Sequence, residues 1–245
     1  MMDIVDFHSH ILPCIDDGSA SLEESLELLR QEAAQGIRHV VMTPHFYARY
    51  ETPEVFLQKR QGAQERLCSA MEGIEGLPQV SAGAEVYFFR GISQSETLSQ
   101  LTIQEKRCIL IEMPPAPWTD SMYRELEAIW RDRGIRPIVA HIDRYISPFR
   151  THRIPERLAE LPVLVQANAE FFLNPRTRRM ALRMLRADQI QLLGSDCHNL
   201  DSRPPRLGAA IRLIEKRLGQ QALERIRVYQ ESVLSKPNCC DGSAI

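Results

Sequence analysis

Short apolar runs alternate with longer segments of helical pattern along the whole chain. This alternation predicts βα units and a mostly parallel sheet, because neighbouring parallel strands must be joined by a crossover connection, usually a helix. The seven predicted strands cover residues 3–7, 39–43, 80–85, 108–113, 136–140, 163–167 and 191–194. With 245 residues, the chain is long enough for one α/β barrel.

The predicted helices carry recognisable start and stop residues. Ser21 and Glu24 have the capping-box spacing at the start of one helix, and Gly36 and Gly134 each follow the end of one. Helices are predicted over 21–35, 53–72, 120–133, 154–160, 175–187, 205–218 and 220–232. No repeat or linker divides the chain. We therefore predict a single domain over residues 1–235 and a flexible tail over 236–245, in which Cys239 and Cys240 have no assigned role.

Composition excludes several classes of function. The 30 Lys and Arg residues against 32 Asp and Glu residues give a net charge of −2, which provides no overall field for nucleic acid or a membrane surface. No apolar run approaches the roughly 18 residues of a membrane span, and the first ten residues lack a basic leader. Six cysteines are too few for a disulfide framework in a chain of this length. We expect a cytoplasmic protein with free thiols that neither inserts into a membrane nor binds nucleic acid.

Histidines and carboxylates concentrate at the carboxyl ends of the predicted strands. In a barrel of parallel strands these ends gather on one face, so residues distant in sequence converge there. Eight such side chains are expected to share one bowl: His8, His10, His45, Glu85, Glu112, His141, Asp196 and His198. Each motif alone is a weak signal, and the prediction depends on their joint pattern. His39 and His152 do not share this pattern and are interpreted as surface or packing residues.

The local spacings agree with a metal site. In an extended segment the side chains of residues i and i+2 point the same way. His8 and His10 can therefore face one metal site, and so can Asp196 and His198. Imidazole and carboxylate together suit Zn, Mn or Fe, whereas Ca and Mg prefer oxygen alone. Four carboxylates, once Asp17 is included, would repel one another unless cations neutralise them. At least two divalent ions are predicted, and the ligand count accommodates a third.

The same residues lie in motifs spread over nearly the whole chain. These motifs are Asp6-Phe7-His8-Ser9-His10, Asp16-Asp17-Gly18, Thr43-Pro44-His45, Gly83-Ala84-Glu85, His141-Ile142-Asp143-Arg144-Tyr145 and Ser195-Asp196-Cys197-His198-Asn199. With them the chain resembles the polymerase-and-histidinol-phosphatase (PHP) superfamily. Within that superfamily it is similar to the bacterial protein-tyrosine phosphatases encoded with capsule and exopolysaccharide synthesis genes. The resemblance implies a distorted, TIM-like (βα)7 barrel and a trinuclear metal site, usually described with manganese.

The resemblance also implies roles for individual residues. The family's metal ligands correspond to His8, His10, Asp17, His45, Glu85, Glu112, His141, Asp196 and His198. Its phosphate-binding arginines correspond to Arg144 and Arg203, with Arg206 as a second candidate beside Arg203. The family often has His-Pro-Glu-Arg where this chain has His-Ile-Asp-Arg, but the arginine is retained. We expect two or three divalent ions, with Mn as the first choice and Fe or Zn as alternatives.

The implied activity is hydrolysis of phosphotyrosine by metal-activated hydroxide. The implied partner is a tyrosine-phosphorylated protein, namely the tail of a bacterial tyrosine autokinase that controls capsule or exopolysaccharide synthesis. Two alternatives stay open. The chain could be a PHP phosphoesterase for a small molecule, such as a histidinol-phosphate phosphatase, or a protein that binds a phosphotyrosine tail without turning it over.

One motif points to a different mechanism. Cys197 and Arg203 match Cys-x5-Arg, the signature of cysteine-dependent tyrosine phosphatases. The five intervening residues contain no glycine, two prolines follow directly, and the neighbouring Asp196 disfavours a thiolate. Strand alternation also predicts that the Cys197 side chain points away from the face lined by Asp196 and His198. We interpret the match as accidental.

Overall fold

The computed structural model describes residues 4–105, 107–146 and 153–234. The nine strands in this part of the chain are β1 (Val5–Ser9), β2 (His39–Met42), β3 (His45–Phe46), β4 (Gln79–Ala82), β5 (Glu85–Tyr87), β6 (Cys108–Glu112), β7 (Arg136–Val139), β8 (Leu164–Asn168) and β9 (Leu192–Gly194). Its nine α-helices are α1 (Leu22–Ala34), α2 (Pro53–Met71), α3 (Asp120–Arg133), α4 (Asp143–Ile146), α5 (Ile154–Ala159), α6 (Ala169–Leu173), α7 (Arg178–Arg186), α8 (Leu207–Leu218) and α9 (Gln220–Leu234). Three short 3-10 helices, Ile92–Gln94, Leu98–Leu101 and Ile103–Glu105, precede β6. His152 and the predicted tail with Cys239 and Cys240 lie outside the described residues.

Every strand pair is parallel, in the orders β1-β2-β4 and β3-β5-β6-β7-β8-β9. The strands curl into a barrel in which the segment after β9 lies beside β1. The backbone N–H of Asp196 donates to the carbonyl of His8 at 2.8 Å, and that of His10 donates to the carbonyl of Cys197 at 2.9 Å. This architecture confirms the predicted distorted barrel of βα units.

The second predicted strand, 39–43, and the third, 80–85, are each followed at the same level by a short separate strand: β3 follows β2, and β5 follows β4. Pro44 separates β2 from β3, because proline has no N–H to continue the ladder. Gly83 lies in the matching break between β4 and β5, where an added Cβ would come within 3.1 Å of the Ile103 side chain. Beyond the breaks, His45 and Glu85 are direct partners across β3 and β5. The interruption therefore brings two predicted ligands side by side.

The helix ends follow the sequence signals in most places. The Ser21 hydroxyl accepts the backbone N–H of Glu24 at 3.1 Å, although the Glu24 carboxylate bonds the N–H of Ala20 and not that of Ser21. Helix α3 has the predicted bounds and ends at Gly134, which has a left-handed φ of 63°. Helix α7 is shorter than predicted, and the short helices α4 and α6 were not predicted.

An apolar cluster underlies the polar strand ends. It contains Phe7, Val41, Leu110, Ile138, Leu164 and Leu192, one from each of six strands, and Val233 of α9 packs with them. On most of these strands the apolar residue precedes the ligand-type residue along the chain. The cluster therefore forms a floor that holds the polar ends at one level. None of the described helices is long and apolar enough to cross a membrane.

Candidate metal centre

The nine predicted ligands come together at the carboxyl ends of the strands. Three groups each bring one ligand atom per residue to within 4.8 Å of one another: His10, Asp17, His45 and His198; His8, His10 and Glu85; and His45, Glu85 and Glu112. Shared members join the three groups into one cluster, which we call the candidate metal centre. Two further predicted ligands border it, since Nε2 of His141 lies 2.8 Å from Glu85 and Oδ1 of Asp196 lies 3.5 Å from Nε2 of His8.

The donor atoms fit divalent transition metals. In the described part of the chain, four buried atoms of this cluster make no hydrogen bond: Nδ1 of His45, Oε2 of Glu85, Oε2 of Glu112 and Nε2 of His198. A buried polar atom that makes no hydrogen bond costs about 1–3 kcal/mol, so several such atoms in one cluster need a physical explanation. Nitrogen and carboxylate oxygen donors at this spacing form a multi-residue site of the kind that Mn, Fe or Zn occupies.

The charged side chains of the cluster shift one another's pKa values. Burial disfavours the imidazolium form of His10, but the hydrogen bond to Asp16 and the negative charge of Glu85 outweigh burial and raise the pKa of His10 to about 10. Burial also opposes ionisation of Glu85, yet the surrounding imidazoles hold its pKa well below the usual range. For Glu112, burial and the charge of Glu85 raise the pKa. Divalent ions would supply the same neutralisation, because imidazole ligands bind metals in the neutral form.

Hydrogen bonds behind the cluster orient three of the imidazoles. Nδ1 of His10 bonds Asp16 at 2.7 Å, Nδ1 of His8 bonds Gln166 at 3.3 Å, and Nδ1 of His198 bonds the carbonyl of Asp196 at 3.0 Å. Each contact leaves Nε2 directed at the cluster, which is the usual arrangement for a metal-binding histidine.

Two residues of β8 support the ligands and were not predicted from the sequence. The amide oxygen of Gln166 accepts the backbone N–H of His141 at 2.7 Å, and the Gln166 amide nitrogen donates to Asn168 at 3.0 Å. Asn168 in turn donates to the Asp196 carboxylate at 2.9 Å. The available signal was their position at the end of the sixth predicted strand, but that strand end carries no histidine or carboxylate.

The backbone is strained or crowded at several ligands. His141 and Asp196 have left-handed φ values of 29° and 53°. Such conformations cost non-glycine residues about 1–3 kcal/mol and concentrate at functional sites. A Cβ on Gly18 would lie 2.1 Å from the His10 carbonyl, and one on Gly194 would lie 2.6 Å from both the His8 Cβ and the Gln166 amide nitrogen. These two glycines let backbone and ligands approach closely.

The three candidate arginines occupy two different environments. Arg144 and Arg203 both form ion pairs with Asp196, the second at 2.8 Å, and their side chains are 39% and 36% exposed. They therefore lie at the mouth of the candidate metal centre, with one face toward solvent. Arg206 instead pairs with Glu170 at 3.4 Å, and its side chain is 61% exposed. The geometry separates Arg203 from Arg206, which the sequence did not.

Cys197 is turned away from the cluster, as strand alternation predicts. Its side chain is fully buried and its ligand atom groups with carboxylate atoms of Asp6 and Glu32. Burial, together with the charges of those two carboxylates, raises the pKa of the Cys197 thiol well above its usual range. A buried thiol of raised pKa lacks the properties of a nucleophilic cysteine.

Solved structures share this fold. The one reported as "Crystal structures of YwqE from Bacillus subtilis and CpsB from Streptococcus pneumoniae, unique metal-dependent tyrosine phosphatases" superposes with a TM-score of 0.79 at 22% identity, over 94% of both chains. Histidinol phosphate phosphatase from Lactococcus lactis, complexed with zinc, L-histidinol and phosphate, superposes with a TM-score of 0.57 at 14% identity, over 91% of this chain and 94% of that one. Both similarities concern the fold, and they confirm the PHP type of barrel.

Sequence relatives span nearly the whole chain. The tyrosine-protein phosphatase CpsB of Streptococcus pneumoniae is 30% identical in an alignment of 240 positions that covers 92% of this chain and 95% of that protein. The tyrosine-protein phosphatase YwqE of Bacillus subtilis is 27% identical in an alignment of 228 positions that covers 89% of this chain and 86% of that protein. The family model for capsular polysaccharide synthesis, CpsB/CapC, matches residues 4–234. The chain therefore belongs to the CpsB/CapC family of capsular polysaccharide synthesis proteins.

Proposed function

We propose that this chain is a metal-dependent protein-tyrosine phosphatase. The observation that carries the proposal is the convergence of five imidazoles and four carboxylates in one bowl, with two arginines at its mouth. The relatives from Streptococcus pneumoniae and Bacillus subtilis, which match most of the chain, are named tyrosine-protein phosphatases. The substrate is then a tyrosine-phosphorylated protein.

The residues of the candidate metal centre would hold two or three divalent ions, with Mn as the first choice and Fe or Zn as alternatives. The proposed ligands are His8, His10, Asp17, His45, Glu85, Glu112, His141, Asp196 and His198. When bound, such ions lower the pKa of a coordinated water and so supply a nucleophile near neutral pH. Asp16, Gln166 and Asn168 keep the donor atoms directed at the centre through the hydrogen bonds described above.

Arg144 and Arg203 would bind the phosphoryl oxygens of the substrate. Both guanidinium groups reach the edge of the centre and remain partly exposed, so a phosphate entering from solvent meets them first. Guanidinium groups form paired hydrogen bonds with phosphate oxygens and neutralise charge that develops during the reaction. The tyrosyl leaving group has a pKa of about 10 and therefore needs little help from a general acid.

The decisive experiment compares two substrates on the manganese-loaded protein. Phosphate release is measured for a phosphotyrosine peptide and for histidinol phosphate at equal concentrations. We expect many turnovers of the peptide and a much lower kcat/KM for histidinol phosphate. A higher kcat/KM for histidinol phosphate would make the protein a small-molecule phosphoesterase. Tight binding of the peptide with less than one turnover would make it a phosphotyrosine-binding protein.

The proposed function includes a partner. We propose that the phosphotyrosine lies in the tail of a bacterial tyrosine autokinase that controls capsule or exopolysaccharide synthesis, and the family's link to capsular polysaccharide synthesis supports this assignment. The test is incubation of the manganese-loaded protein with such an autophosphorylated kinase, followed by detection of phosphotyrosine. Loss of signal with wild-type protein and retention with the Asp196→Ala variant is the expected result. Retention with both would rule out the kinase as substrate.

A further inference from the structure

Tyr47 and Tyr87 each lie two residues after a proposed ligand, on the same face of the extended segment. Side chains at positions i and i+2 of an extended segment share a face, so Tyr47 follows His45 and Tyr87 follows Glu85 outward from the candidate metal centre. His45 and Glu85 are direct partners across the parallel ladder, which places the two tyrosines opposite each other as well. Their ring centroids lie 5.5 Å apart, and the Tyr47 ring lies 5.2 Å from the His45 ring.

These rings border a cavity of about 460 Å³ that is lined largely by aromatic side chains. Besides Tyr47 and Tyr87, its walls include Phe88, Phe89 and Tyr50. The Tyr50 side chain is 77% exposed and meets Tyr47 edge to face at 6.0 Å. Tyr47 contacts His45 on one side and lines the cavity on the other, so the cavity lies next to the candidate metal centre. Aromatic side chains left this open to solvent beside a polar centre are typical of a binding surface.

We propose that Tyr47 and Tyr87 form an aryl subsite, where the aromatic ring of a phosphotyrosine packs while its phosphoryl group lies at the candidate metal centre. This inference rests on the proposed function. Two residues advance a strand by about 7 Å, so the tyrosine pair lies just outside the ligands. The ring of phosphotyrosine is joined to phosphorus through a single ester oxygen and therefore meets the pair directly.

The subsite provides selectivity for aryl over alkyl phosphates. Phosphoserine has a methylene group at the place where phosphotyrosine has its ring, so it reaches the centre without contacting Tyr47 or Tyr87. Offset or edge-to-face aromatic contacts favour an aryl group by about tenfold in affinity. The metal ligands and arginines interact with the phosphoryl group, which both substrates share. Discrimination between the two esters is therefore assigned to the aromatic walls.

Binding of two phosphonates to the manganese-loaded protein tests the subsite without catalysis. Isothermal titration calorimetry with phenylphosphonate and methylphosphonate is expected to show that the wild-type protein binds the phenyl compound about tenfold more tightly. Tyr47→Ala should remove most of this preference, and Tyr47→Phe should retain it because the ring makes the contact. Trp130→Ala removes a 42% exposed aromatic residue on α3 and serves as the matched control, with unchanged preference.

Turnover of two peptides gives the second readout. With a phosphotyrosine peptide, Tyr47→Ala should raise KM about tenfold with little change in kcat; with the same peptide carrying phosphoserine, both constants should stay at wild-type values. Equal losses for both peptides, or lost metal content, would show that Tyr47 acts through His45 and would overturn the proposal. An unchanged phenyl preference in Tyr47→Ala would overturn it too. If wild type binds phenylphosphonate selectively yet hydrolyses neither peptide, the subsite stands and the proposed phosphatase function fails.

Discussion

Asp16 accepts a hydrogen bond from Nδ1 of His10 at 2.7 Å, and this contact determines which ring nitrogen of His10 faces the candidate metal centre. The same carboxylate accepts the backbone N–H groups of His45 and Gly18, each at 2.9 Å. Burial opposes ionisation of Asp16, but its hydrogen bond and ion pair with His10 outweigh burial and lower its pKa to about 2. Asp16 therefore acts as a carboxylate at neutral pH and uses both of its oxygens.

Asp16→Asn is expected to weaken the binding of divalent ions by about 10- to 100-fold, because loss of a hydrogen bond behind a ligand loosens the ligand. The asparagine amide has one acceptor oxygen where the carboxylate uses two. Titration of manganese into the EDTA-treated variant measures the effect. Asp201→Asn changes an exposed carboxylate in the same way and should leave affinity unchanged. Wild-type affinity in Asp16→Asn would mean that other contacts orient His10.

Removal of the metal is expected to abolish turnover of a phosphotyrosine peptide. The candidate metal centre holds enough donors for two or three ions, so elemental analysis of the saturated protein should find two to three per chain. Dialysis against EDTA should bring the rate to background, and added manganese should restore it. A saturated protein with fewer than two ions per chain would contradict this prediction.

Arg144→Ala and Arg203→Ala should each lower kcat/KM by about 10²-fold or more, as expected when a group that neutralises transition-state charge is lost. Metal content should stay at the wild-type level, since Asp196 keeps its hydrogen bond from Asn168. Arg206→Ala is the matched control, because Arg206 pairs with Glu170, and it should retain nearly full activity. Loss of metal in either of the first two variants would assign that arginine a structural role.

Cys197→Ser is expected to keep activity close to wild type, whereas Asp196→Ala and His198→Ala should nearly abolish it. The reason is that Cys197 is buried on the far side of its segment, where burial raises the pKa of its thiol. Native protein treated with iodoacetamide should be alkylated at the exposed Cys14 and Cys68 and spared at Cys197, as peptide mass spectrometry would show. An inactive Cys197→Ser protein with a full metal complement would instead support a cysteine nucleophile.

Gly194→Ala is expected to lower both metal occupancy and thermal stability. Its new Cβ would press on the His8 Cβ and the Gln166 amide at 2.6 Å, so one ligand and its hydrogen-bond partner must move. Gly62→Ala is the control, because Gly62 lies within α2 and its nearest neighbour is the Arg66 side chain at 3.6 Å. This control should stabilise the protein by up to about 1 kcal/mol. Equal melting temperatures for both variants would show that the barrel tolerates the contact.

At two predicted ligands the strand bounds differ from those predicted from the sequence. His8 was expected beyond the first strand, but β1 continues to Ser9 and includes it. Glu85 was expected at the end of one long strand, but it begins β5 after the break at Gly83. Neither difference changes the site, because the order of residues along a βα unit decides which of them reach the carboxyl face.

Other features of the site depend on contacts that no local pattern contains. Gln166 and Asn168 are amides, which rarely bind transition metals, so only their hydrogen bonds to distant ligands reveal their role. The choice of Arg203 over Arg206 depends on where the chain turns before α8. The tyrosine pair becomes visible only because β3 and β5 are neighbours in the sheet.

The closure of the barrel sets when this centre can form. The Asp6 carboxylate accepts the backbone N–H of Ser195 at 2.9 Å, a contact between residues 189 positions apart that joins the first strand to the segment carrying the last ligands. Ribosomes add about 5–20 residues per second, so Asp196 and His198 are made about 10–40 s after His8 and His10. During synthesis the early histidines can meet metal only as part of an incomplete ligand set. A complete set of proposed ligands is therefore available to metal only after the segment with Asp196 and His198 has been made and has joined the first strand.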